Sequence, residues 1–188
     1  MQTGPQSRRD GGITALAEGF FAASWFGWGH ANPPAWLASW LTVGSIAALL
    51  VAAVGAAVGF TSPASTAAIN SRAAGRRYGT IVGIEFTLAG LGAVLLGALG
   101  LPAYIPVWIC AVVGVHFLPL TAVLRDRNLI ALGVLLTATA VAALITGLTT
   151  TVAPSTVTGV GAGLLLSVFG AVALVGAVRR PRPHPQQT

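Results

Sequence analysis

Six apolar runs, at roughly 12–30, 36–60, 79–99, 103–124, 129–149 and 156–178, constrain this chain more than any other feature. Each is close to the ~20 residues a helix needs to cross the hydrocarbon core of a bilayer. None alternates apolar with polar residues, so the runs read as helices rather than as the strands of a membrane barrel. Only 7% of the residues are charged, against about 25% in a soluble domain. The expected fold is therefore an all-α polytopic membrane protein. Its six-helix transmembrane domain covers 12–178, between a disordered N-terminus (1–11) and a basic, proline-rich tail (179–188).

The positions of the charges set the expected topology. The ten basic residues are all arginines: Arg8, Arg9, Arg72, Arg76, Arg77, Arg125, Arg127, Arg179, Arg180 and Arg182. The turns near 31–35, 100–102 and 150–155 carry no Arg, Asp or Glu. Six crossings put every arginine on one side, whereas five or seven would divide them. The positive-inside rule assigns that side, with both termini, to the cytoplasm. The expected location is the cytoplasmic (inner) membrane, and the Arg-for-Lys and Ala/Gly/Val bias points to a bacterial genome.

Other classes fit less well. Arg8 and Arg9 precede an apolar run, and Gly29-His30-Ala31 has the form of a signal cleavage site. The run, however, holds Glu18 and two tryptophans and is long for a signal core, so it is read as a retained span. The net charge of +6 does not imply nucleic acid, because the arginines sit between apolar runs and not on one folded face. The single cysteine, Cys110, lies inside an apolar run. It has no disulfide partner in the chain and no metal-ligand spacing around it.

Finer patterns predict how the helices sit. Trp25, Trp28, Trp36, Trp40, Trp108 and Tyr104 fall towards the outer ends of their runs, as an interfacial belt would. Gly55 and Gly59, Gly79 and Gly83, and Gly159 and Gly163 each share a helix face, where glycine permits close backbone approach. Packing within the chain and contact between copies in a homo-oligomer both use such faces. Prolines at Pro33 and Pro34, Pro102 and Pro154 mark three outer turns, giving three related helical hairpins, the last without an acid. The segment 62–78 is the long loop, with room for a short surface helix carrying Arg72 and Arg76 that would suit anionic lipid.

Three ionisable residues stand inside the spans. Glu18 and Glu85 lie about seven residues into the first and third helices, and His116 about eight before the end of the fourth. At 1.5 Å per residue all three are roughly 10–12 Å deep. Charged groups at such depth are costly in lipid and should face the bundle interior or a wet cavity. Pro119 removes a backbone donor one turn after His116 and frees the Val115 carbonyl. Glu18, Glu85 and His116 are thus the candidates for binding a proton or small cation. The plainer alternative is that the glutamates are protonated and hydrogen-bond between helices. His30 and Asn32 form a weaker polar spot, read as capping. No nucleophile–base arrangement, phosphate-binding loop or metal motif is present, so no enzyme activity, cofactor or metal is expected.

The stretches AEGFFAASWFGWG, YGTIVGIEFTLAG and VVGVHFLPL resemble a group of uncharacterised actinobacterial six-helix integral membrane proteins, a likeness that implies no assigned activity. The three-hairpin plan is also similar, in architecture alone, to bacterial acid-resistance membrane proteins. Two functions follow as expectations: a small-solute or proton-linked transporter or channel, or a non-transporting membrane scaffold or stress-related accessory protein. Partners expected are the lipid bilayer, a small-molecule or proton ligand, and a second copy if the glycine faces are shared.

Overall fold

The computed structural model describes residues 7–63, 72–124 and 126–180. Among them all regular structure is helical. The helices are α1 (Arg8–Gly29), α2 (Ala35–Thr61), α3 (Arg72–Ala98), α4 (Ile105–Leu124), α5 (Asn128–Thr149) and α6 (Pro154–Val178), with a 3-10 turn at Pro102–Tyr104 ahead of α4. The segment 64–71, Arg125 and the tail from 181, with Arg182 and His184, lie outside the described residues.

Two helices start earlier than their apolar runs. α1 begins at Arg8 because Ser7 and Asp10 form a capping box: Ser7 Oγ accepts from the Asp10 amide, and the Ser7 amide donates to Asp10 Oδ2. Residues 8–11 of the segment expected to be disordered are thus helical, and 1–6 lie outside the described residues. α3 begins at Arg72 and not near 79. Arg72, Arg76, Arg77 and Tyr78 therefore belong to α3 itself, and no separate surface helix carries them.

The turn between α3 and α4 closes in a Schellman motif. Gly100 takes a φ of +73°, and the amides of Gly100 and Leu101 donate to the carbonyls of Gly97 and Leu96. Glycine suits the left-handed position, and Pro102 cannot continue the helix.

Five of the six helices, α2 to α6, are long and apolar enough to cross a membrane. α1 is not among them: its stretch 12–29 holds Glu18 and four glycines. It is also among the most enclosed helices, held between α6 and α2. A helix shielded from lipid on two sides needs less apolar surface of its own. The outward faces of α2, α3 and α5 carry large apolar side chains such as Leu50, Phe60, Val94 and Leu148, the surface a bilayer would cover.

Glycine sets the closest approaches. α6 runs antiparallel to α1, with Gly159 against Gly29, Gly163 against Phe26, Gly170 against Glu18 and Ala177 against Gly11. Gly55 and Gly59 of α2 meet Gly12, Ala15, Leu16 and Ile13 of α1. Both are expected glycine pairs performing close packing. Gly79 and Gly83, also expected to pack, have nothing within 4 Å of a Cβ built on them, and α3 has no buried residue at all.

The core is built around Ala22, Trp25, Phe26, Leu41, Leu132, Leu136, Ala162 and Leu166. Trp25 departs from the expected interfacial belt, being only 5% exposed, whereas Trp36 and Trp40 are largely exposed. The consecutive helices α1–α2, α3–α4 and α5–α6 are each in contact, but the most extensive seam joins α1 to α6. Arg8 Nη1 donates to the Arg180 carbonyl, so both ends of the helical region lie together.

Candidate functional site

α3 turns one narrow stripe towards α4: from 79 onward its partly buried positions are Ile81, Val82, Glu85, Ala89, Gly92, Ala93 and Leu96. Their spacing of three and four places them on one helix face. Opposite them, α4 presents Trp108, His116 and Pro119 in antiparallel register. The Trp108 indole lies over Gly92, in the space a Cβ would fill, and its Nε1–H donates to the Leu88 carbonyl at 3.0 Å. This anchor fixes the register that brings the next pair together.

That pair is Glu85 and His116. Glu85 Oε2 lies 3.2 Å from His116 Nδ1, with the side chains only 14% and 9% exposed. The two atoms are close but not aligned as a hydrogen bond, and Nδ1 is buried with no other partner. The His116 ring also packs edge-on against Phe117, with centroids 5.5 Å apart. A carboxyl and an imidazole at this distance compete for the same proton, so their titrations are coupled.

Below the pair, towards the arginine-bearing end of α3, is an open groove of about 550 Å³. Arg76, Arg77, Thr80 and Ile81 line it from α3, and Pro119, Ala122 and Val123 from α4. Ile81 is one turn from Glu85, and Pro119 is three residues from His116. The groove therefore ends about one turn from the pair. The proline inside α4 supplies a flat, donor-free surface where it does so.

Glu18 is not part of this cluster. It packs in the α1–α2–α6 seam, where its Cβ lies beside Gly170 and near Val51. α1 makes no extensive contact with α3 or α4. Of the three sequence candidates, then, two converge and the third occupies a seam of its own. Matching depth put all three at one level, and inside one hairpin that level becomes contact. It could not predict that α1 docks on α6, a neighbour set by glycine packing across the chain.

Three bridging contacts had weaker signals. Tyr104 and Trp108, read as interfacial anchors, also bridge helices: the Tyr104 hydroxyl donates to the Gly147 carbonyl at 3.1 Å. Buried Cys110 donates through its thiol to the Leu136 carbonyl at 3.3 Å. His30 fits the capping reading: its Nδ1 donates to the Phe26 carbonyl at 2.9 Å, and Nε2 lies 3.2 Å from Thr42 Oγ1. Among the described residues no group of three or more His, Cys, Asp or Glu side chains is arranged to hold a metal ion.

The fold and the pair together define an all-helical protein with apolar spans and one glutamate–histidine contact between two of them. No protein-family model matches the sequence, and neither a curated protein nor a solved structure shows significant similarity to it.

Proposed function

We propose that the chain is a small proton-linked transporter or channel of the cytoplasmic membrane, with Glu85 and His116 as its proton- or cation-binding unit. The observation that carries this reading is the 3.2 Å approach of Glu85 Oε2 to His116 Nδ1 between two apolar helices. Ionisable groups at that position are expensive, and those that are kept commonly mark a proton or ion pathway. The groove beneath supports access from the arginine-bearing side, which the positive-inside rule assigns to the cytoplasm. In this scheme a proton entering by the groove reaches Glu85 or His116. Its arrival neutralises the unit, its exchange between the two interconverts a neutral pair and an ion pair at constant net charge, and release towards the opposite side completes a transfer. The test is proton flux into vesicles reconstituted with the purified protein. Wild type should dissipate an imposed pH gradient, and Glu85→Gln and His116→Ala should reduce the rate towards that of empty vesicles. Unchanged flux in both variants overturns the reading.

A second reading, a non-transporting scaffold, is favoured by one observation: α3 has no fully buried residue, and a Cβ at Gly79, Gly83, Gly90 or Gly97 would meet nothing within 4 Å. It predicts oligomers or co-purifying membrane partners that Gly83→Leu disperses, together with no flux above empty vesicles.

A further inference from the structure

Glu18 is enclosed more fully than either member of the pair and has less to meet its charge. It is 8% exposed, and its Oε2 is buried without a hydrogen-bond partner. The two helices packed against it, α2 and α6, contain no Asp, Glu, Lys, Arg or His anywhere along their length. On α1 itself, Arg8, Arg9 and Asp10 lie about two turns or more towards the N-terminus, and Asp10 is engaged with Ser7. His30 lies about three turns the other way and is bonded at the α1 end. Arg179 and Arg180 sit past the far end of α6. Asp126, ahead of α5, is near enough for its charge to act on Glu18, and it has the same sign. A carboxylate in such a seam would be an uncompensated buried charge.

We propose that Glu18 is a second proton-binding site, separate from the Glu85–His116 pair, holding one proton where α1 meets α2 and α6. The ligand is a proton and not a hydrated metal cation because α2 and α6 offer no second charged or histidine ligand and the helices close tightly beside Glu18. A Cβ at Gly170 would stand 3.2 Å from the Glu18 Cβ and 3.5 Å from Val51 Cγ1, and a Cβ at Gly19 would stand 2.6 Å from the Ala48 carbonyl oxygen. Uptake neutralises the carboxyl and lets α1 close on α6. Release leaves a bare charge that loosens the same seam.

The chain has only two glutamates, Glu18 and Glu85, which makes the test specific. In Glu85→Gln protein labelled with carboxyl-¹³C glutamate and placed in lipid nanodiscs, Glu18 is the one labelled carboxyl. Infrared spectra should show it at neutral pH as the carbonyl stretch of a neutral acid, lost only on alkaline titration and unmoved by added sodium. A carboxylate stretch at neutral pH, or loss of the acid band on adding sodium, overturns the proposal. Should Glu85→Gln not fold, labelled wild type is compared with labelled Glu18→Gln. The neutral-acid band must disappear in the variant, and its persistence overturns the proposal. Because the first sample lacks the pair, the outcome is independent of whether Glu85 and His116 carry protons across the membrane.

Discussion

Trp108 fills the space beside Gly92, and this contact, with its hydrogen bond to the Leu88 carbonyl, is the anchor that aligns α3 with α4. Since α3 has no buried residue, few other contacts replace it. Gly92→Leu should displace the indole and cost about 1–3 kcal/mol, as overpacking of a close contact does. Trp108→Phe removes the N–H together with the pyrrole edge that sits over Gly92, so it too should destabilise, through lost packing and a hydrogen bond worth about 0.6 kcal/mol. Thermal unfolding in a mild detergent reads both. No loss in Gly92→Leu would argue against the glycine contact.

The same substitution should have opposite signs on two helices. Gly159 faces the α1 backbone at Gly29, so Gly159→Ala pushes α6 from α1 and destabilises the bundle. Gly83 faces nothing within 4 Å, so Gly83→Ala should be neutral or stabilise by up to roughly 1 kcal/mol, the usual gain for alanine over glycine inside a helix. Melting temperatures of the two variants decide this. A large loss from Gly83→Ala would show that α3 has a partner in the sample, as the scaffold reading requires.

Stability should also respond to pH through Glu18. If the folded chain keeps a proton on this carboxyl that the unfolded chain gives up above the ordinary glutamate value of about 4.3, the folded state binds more protons and stability falls as pH rises. Wild type should therefore melt progressively lower from mildly acidic to alkaline buffer. Glu18→Gln, which cannot ionise, should show a flatter profile. Parallel profiles for the two proteins would contradict a proton bound at Glu18.

Much of this arrangement was written in the local sequence. The six helices follow from six apolar runs, and the Gly100–Leu101–Pro102 turn sits where glycine and proline place it. Glu85 and His116 were matched by depth, and two antiparallel helices joined by a short turn convert equal depth into contact. Glu18 had the same depth and a different destination, because depth along a helix says nothing about which neighbour it docks against. That choice was made by Gly159, Gly163 and Gly170, which let α6 reach α1 across most of the chain. Trp25 was misread for the same reason: an aromatic near a helix end is interfacial only if its face is turned outward, and α6 and α2 enclose this one. The early start of α1 was legible in Ser7 and Asp10.

The central claim is that Glu85 and His116 act as one proton-binding unit, and nuclear magnetic resonance of the His116 ring nitrogens in lipid bilayers tests it most directly. With ¹⁵N-labelled histidine and His116→Ala to assign the signal, His116 should titrate within the accessible pH range, and Glu85→Gln should displace its titration curve. A His116 signal that titrates identically in wild type and Glu85→Gln would contradict the account.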